Sequence, residues 1–275
     1  MMSIKKNNKV NPKEILLKEL ADNGVLRLTL NDAKRRNALS EEMMTELATA
    51  LTSASENKDI RTVILAGNGP AFCSGHDLKQ MSAGRNNSDD GQAYFLKVFS
   101  SCSKLMQMIV NHPKPIIAEV SGVAAAAGCQ LVACCDLAVA GESARFITPG
   151  VNIGLFCSTP MVALSRNLSN KAAMEMLLTG EMVDSSKAER IGLINRVVED
   201  KNVAQQTEEL ASLIASKSSM VLETGKKAFY NQKDMSLSEA YEYASKVMVE
   251  NMLKNDSREG INAFIEKRHP KWQDK

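Results

Sequence analysis

Short apolar runs separated by polar turns fill the first two thirds of the chain, and each run predicts an element. Residues 15–20 and 25–30 flank Asp22-Asn23-Gly24 and read as a β-hairpin. Ser40 followed by Glu41 and Glu42 predicts a helix N-terminus, with acids against the positive dipole end. Met43, Met44, Leu47, Leu51 and Ala54 then recur at helical spacing. A strand is predicted over 62–66, and Gly-Asn-Gly-Pro at 67–70 marks a turn. Residues 79–92, polar and rich in Gly, Asn and Ser, read as a flexible segment. A helix over about 93–110 ends at His112-Pro113, and a strand follows at 115–120. A short apolar helix then runs to Cys135 and a strand covers 136–140. Beyond 195–198 the β signal fades. The pattern predicts an α/β body over 15–200, an all-helical region over 201–275 and a flexible N-terminus over 1–14.

Two small-residue loops interrupt this pattern, FCSGHDL at 72–78 and VSGVAAAAGCQL at 120–131. Each follows an apolar run and leads toward a helix. Such a turn lets a ligand approach the backbone and leaves first-turn N–H groups unpaired. Two of them on neighbouring strands aim two donors at one carbonyl oxygen, which is an oxyanion hole. Ordinary βα turns give the same residue pattern, so the loops alone leave both readings open.

Composition narrows the classes. With 275 residues, 44% of them hydrophobic, the chain can bury a substantial core. Its formal net charge of +2, with basic residues spread along the chain, creates no field that demands nucleic acid or membrane. The longest nearly uncharged stretch, 120–134, is too short and too polar to span a bilayer. The six cysteines sit mostly in apolar runs without zinc spacing, and read as buried free thiols of a reducing compartment. Residues 1–14 resemble neither a secretory signal nor a transit peptide. The expected location is therefore the cytoplasm, with the mitochondrial matrix as the alternative.

The segments SGHDLK at 74–79, AAAAGCQLVACCDLAVA at 124–140, TPGVNIGL at 148–155 and EGINAFIEKRHP at 259–270 are similar to the crotonase (enoyl-CoA hydratase/isomerase) superfamily. LNDAKRRNALS at 30–40 belongs to the same set, with Ala33 where the family usually has proline. The resemblance implies a spiral of ββα turns and a helical tail that packs trimers or hexamers. It also implies acyl-CoA thioester substrates, with coenzyme A as part of the substrate and no separate cofactor or metal. Carried over by position, the oxyanion donors are the amides of His76 and Ala127. Contacts to the coenzyme A ester fall on Arg36, Ala38, Ser74, His76, Asp77, Leu78, Lys79, Ala127, Pro149, Leu155 and Lys227.

The chain departs from the family where chemistry matters most. Hydratases of the family use two glutamates, and their positions here hold Gln130 and Gly150. Hydration needs a base for water and an acid for the carbon, and a positioned acid–base group contributes about 10²–10⁴-fold. Glutamine can hold a water but cannot take its proton, and glycine can do neither. Substitutes are few. Asp77 is expected to order its loop, Cys157, Ser158 and Thr159 to line an acyl pocket, and Cys129 to be a core thiol. The His76 imidazole reads as a loop residue or a proton carrier, and His112 and His269 as surface or loop residues. Asp136 reads as structural, and Met174, Met176, Met248 and Met252 as core or subunit interface. Three functions stay open: an enzyme on enoyl- or acyl-CoA with weak classical hydration, a non-catalytic acyl-CoA binder, and a thioester hydrolase or decarboxylase.

Overall fold

The computed structural model describes residues 14–275. The predicted flexible N-terminus lies almost entirely outside the described residues. The hairpin forms as β1 (Leu16–Leu20) and β2 (Val25–Leu30), antiparallel, with Leu16 opposite Leu30. Helix α1 (Glu41–Glu56) starts at Ser40, whose hydroxyl accepts from Met43 N, as its sequence predicts. Then come β3 (Thr62–Gly67), β4 (Ala71–Cys73), α2 (Leu78–Gly84), α3 (Gln92–Val110), β5 (Ile116–Val120) and β6 (Val123–Ala125). Helix α4 (Ala127–Cys134) leads to β7 (Leu137–Gly141), β8 (Arg145–Ile147), α5 (Ser158–Asn167) and α6 (Asn170–Thr179). The chain ends with β9 (Val183–Asp184), α7 (Ser185–Arg190), β10 (Arg196–Val198), α8 (Val203–Ala215), α9 (Ser219–Gln232), α10 (Leu237–Met252) and α11 (Asn255–Ile265).

One expectation fails locally. Part of the polar segment 79–92 is helical, because the Asp77 carboxylate caps α2 by accepting from Lys79 N and Gln80 N. Glycine and asparagine content hid that cap.

Strands β1-β2-β3-β5-β7-β10 make one sheet and β4-β6-β8-β9 another. Within each of the pairs β3/β4, β5/β6 and β7/β8, the first strand joins the large sheet and the second joins the small one. Pairing is parallel throughout except at β1–β2 and β8–β9. This is the expected ββα spiral. Strand alternation then builds two cores. Val63 and Leu65 pack with α1 and α3, whereas Ile64 and Ala66 pack with Leu210, Ala211 and Ala215 of α8. Helix α8 is therefore part of the packed body, and the expected boundary at residue 200 moves to α9. Helices α9 and α10 contain no fully buried residue of their own.

The tail is pinned by charge. Lys226 of α9 lies 2.6 Å from the Asp136 carboxylate, with its side chain only 8% exposed. Tyr230 donates to the other Asp136 oxygen at 3.1 Å, and Ile116 N donates to the first at 2.8 Å. Breaking such a buried pair on one side costs about 3–5 kcal/mol. Met176 is core, whereas Met174, Met248 and Met252 are exposed.

His112 corrects another expectation. It is buried, because its ring ties α1 to the turn before β5: Nε2–H donates to the Leu51 carbonyl at 3.0 Å and Nδ1 accepts from Lys114 N at 3.2 Å. Nδ1 also lies 3.1 Å from the Lys114 carbonyl, and burial holds the ring's pKa below the ordinary 6.5. His76 is lowered for the same reason. The unfolded chain therefore binds more protons at mildly acid pH, so stability is complete above the ordinary histidine pKa and is lost as pH falls below it. Unfolding free energies from urea denaturation are expected to be flat between pH ~7 and ~8 and to fall toward pH ~5, by at most about 1.4 kcal/mol per pH unit per histidine. His112→Phe is expected to remove its share of that slope.

Candidate functional site

Three backbone segments converge at the ends of β4, β6 and β8. The first is held by the loop before α1. Ser74 N donates to the Arg36 carbonyl at 3.0 Å and Leu39 N to the Gly75 carbonyl at 2.7 Å. Asn37 organises that loop from within. Fully buried and at φ 54°, it donates through Nδ2 to the carbonyls of Asn68, Ala71 and Phe72 and accepts from Asp32 N through Oδ1. Asparagine tolerates this left-handed geometry better than most residues. Arg35 closes the arrangement by bridging Asp32 and Asp77.

The second segment touches the first backbone to backbone. Gly75 sits at φ 88°, and a Cβ there would lie 3.0 Å from the Ala125 carbonyl and 3.3 Å from Ala127 N. A Cβ on Gly128 would lie 2.1 Å from the Cys73 carbonyl, so α4 can approach β4 only through glycine. Between these contacts Ala126 adopts φ 50°, ψ −115°, a conformation that costs about 1–3 kcal/mol in a residue with a Cβ. Ala126 N donates to the Ile147 carbonyl at 2.8 Å, which ties in the third segment.

Among the described residues, no protein acceptor meets the amide N–H of His76 or of Ala127. These are the two positions expected to donate, and they lie on the touching segments. Two more polar atoms here lack partners. His76 Nε2 and Gln130 Oε1 are buried and unbonded, and Thr62 Oγ1 is the other such side-chain atom among the described residues. Gln130 is 4% exposed, one helical turn beyond Ala127. Leaving such a group unpaired costs about 1–3 kcal/mol, which is tolerated where a ligand supplies the partner. The His76 ring stands edge-on to Phe99 of α3, with centroids 5.4 Å apart.

The third segment leaves no space for a side chain at position 150. A Cβ on Gly150 would lie 2.7 Å from the Leu155 carbonyl and 2.9 Å from Cys157 Sγ. Thr148 and Asn152 anchor this turn to α6 through the Met176 and Gly180 carbonyls. The Cys157 thiol is raised by burial, and burial pushes Cys129 and Cys73 up to about 12, so none offers a thiolate.

The remaining expected residues fall into two groups. Arg36, Lys79, Leu78 and Leu155 are exposed, whereas Ala38 is buried and Ser74, Pro149 and Asp77 are partly or largely enclosed in the converging segments. Asp77 spends its carboxylate on the α2 cap and Arg35. Lys227 stays apart, exposed on α9, with no hydrogen bond to these loops. The sequence reading passed over Asn37, whose signal was an asparagine within a polar loop, and Phe99, which carried none beyond helical spacing.

A spiral of ββα turns with small-residue loops at the strand ends defines the crotonase fold class. The family model for enoyl-CoA hydratase/isomerase matches residues 21–275, and the chain belongs to that family. It is 46% identical over 249 residues to the Rattus norvegicus protein named enoyl-CoA hydratase domain-containing protein 3, mitochondrial, covering 90% of this chain and 81% of that one. The crystal structure of human enoyl coenzyme A hydratase domain-containing protein 3 superposes with a TM-score of 0.89 at 43% identity, covering 94% of this chain and all of that one. An enoyl-CoA hydratase structure from Mycobacterium smegmatis gives 0.90 at 46% identity, covering 94% and 99%.

The crowding at Gly150 has a direct consequence. Gly150→Glu is expected to lower stability by about 1–3 kcal/mol, read by urea denaturation, because its Cβ meets backbone instead of a yielding side chain. Gly150→Ala is expected to show most of the same loss.

Proposed function

We propose that this chain binds acyl-CoA thioesters and holds the thioester carbonyl between the amides of His76 and Ala127. The observation that carries the reading is the pair of acceptor-free N–H groups on two segments in backbone contact. A donor aimed at a developing oxyanion is worth about 10²–10³-fold, so enolate or tetrahedral chemistry is within reach. Arg36, Lys79 and Lys227 are exposed cations suited to the phosphates of coenzyme A, and exposed Leu78 and Leu155 suit its apolar parts.

Classical hydration is expected to be feeble. Gln130 cannot accept a proton, and Gly150 has no space for a side chain. That second observation keeps a non-catalytic acyl-CoA binder as the alternative reading. Hydrolysis or decarboxylation of the thioester needs the same two donors, and release of free coenzyme A or carbon dioxide from an ester panel distinguishes them. Calorimetry is expected to detect butyryl-CoA binding, and crotonyl-CoA turnover to fall at least ~10²-fold below that of a glutamate-bearing relative. Parity with such a relative would overturn the loss of acid–base function.

Assembly follows from the tail. Helices α9–α11 and their ends expose Leu237, Tyr241, Val249, Leu253 and Phe264, the last 84% accessible. Apolar exposure on this scale marks an interface, and we assign it to a homotrimer or a dimer of trimers. Light scattering is expected to give three or six chain masses, and Phe264→Glu to lower that number. No described helix is long and apolar enough to cross a membrane. The mitochondrial relatives favour the matrix over the cytoplasm as the compartment.

A further inference from the structure

A peptide unit is planar and trans, so its N–H points opposite to its C=O. The His76 N–H therefore takes its direction from the Gly75 carbonyl, which shares its peptide unit. That carbonyl is held, because Leu39 N donates to it at 2.7 Å. The clamp turns the His76 N–H away from Leu39, and among the described residues it meets no acceptor. Ala127 N is directed in the same manner, since the Ala126 carbonyl accepts from Gln130 N at 3.0 Å. The two clamps differ in what supports them. The second is an ordinary helical bond of α4. The first depends on residues 36–39, which lie between elements of regular structure. Leu39 packs into the core, but an apolar contact is non-directional and leaves the set of its amide to hydrogen bonds.

Asn37 supplies the directional anchor. Its side chain, fully buried, donates to the Asn68 and Ala71 carbonyls at 2.8 Å and to the Phe72 carbonyl at 3.2 Å. Its Oδ1 accepts from Asp32 N at 2.8 Å. Ala71 and Phe72 belong to β4, which leads directly into Ser74 and Gly75. One side-chain amide thus fastens the clamping stretch to the strand that carries the clamped carbonyl. We infer that Asn37 is a positioning residue, aiming the His76 N–H at a thioester carbonyl through Leu39 N and the Gly75 carbonyl. The inference rests on the acyl-thioester reading above, and Asn37 itself touches no substrate. The chain of bonds also strengthens the donor, because a carbonyl that accepts a hydrogen bond polarises the N–H of its own peptide unit. Aspartate at this position would turn oxygen toward three carbonyls, and an apolar residue would leave them unpaired.

The test is the ¹³C resonance of butyryl-CoA labelled at the thioester carbonyl, compared free and bound, beside calorimetric binding of the same ester. Two aimed donors polarise the carbonyl and displace that resonance downfield. Wild-type protein is expected to show the displacement. Asn37→Gly tolerates the positive φ of this position, so it tests the side chain and not the backbone twist. It is expected to lose about half of the displacement or more, while binding the ester within about tenfold of wild type. His112→Phe is the control, because it breaks buried hydrogen bonds between α1 and the turn before β5, and it is expected to keep the displacement. A wild-type displacement in Asn37→Gly, or an equal loss in His112→Phe, overturns the positioning role and leaves the two-amide site standing. A wild-type protein that binds the ester without displacement overturns the placement of the carbonyl. Absence of any binding overturns the acyl-thioester reading, and either result removes this inference as well. If Asn37→Gly does not fold, Asn37→Ser, which keeps one donor, carries the same comparison.

Discussion

Backbone presses directly on backbone where the loop after β4 meets the start of α4, and the character of the site depends on that contact. Gly75 and Gly128 have no Cβ, so carbonyls and amides come within a distance that side chains would forbid. The cost is carried by Ala126, twisted to positive φ at the helix start. Ala127 N, at the first position of α4, meets no acceptor, while the pairing of Leu39 with the neighbouring loop engages Gly75 and leaves His76 N free. Two amides are thereby left without acceptors. In the function proposed above, dipoles fixed in this way need no rearrangement when charge develops on a bound oxygen.

Two positions near those amides, 130 and 150, carry no carboxylate. At position 130 stands an amide, and its carbonyl oxygen is left buried and unpaired. At position 150 the constraint reaches the backbone. The turn after β8 folds so that the Leu155 carbonyl and Cys157 Sγ occupy the space where a side chain would start. A side chain introduced there therefore has to displace backbone. Like Gln130 Oε1, His76 Nε2 is buried without a hydrogen-bond partner.

Much of the fold was legible in the chain. The hairpin, the Ser40 cap, the strands at 62, 116 and 137 and the late helices all follow from local periodicity and capping chemistry. Local signals failed where the deciding partner was remote or masked. His112 beside a proline reads as a loop residue, yet its ring bonds the end of α1, sixty-one positions earlier in the chain. Helix α2 was hidden by polar composition although Asp77 caps it. Helix α8 reads as the first helix of the tail, but its apolar stripe belongs to the second face of the large sheet.

For the site, residue types and spacing alone determined that two small-residue turns each follow an apolar run, and that positions 130 and 150 hold glutamine and glycine. Those are properties of letters and periods, which no fold can alter. Only the tertiary structure decided that the two turns touch, that their amides lack acceptors, and that the His76 ring is enclosed against Phe99. Each of those facts depends on which strand lies beside which, and on space already filled by atoms distant in sequence. Sheet order and steric occupancy are set by the whole packed chain, and no local pattern carries them.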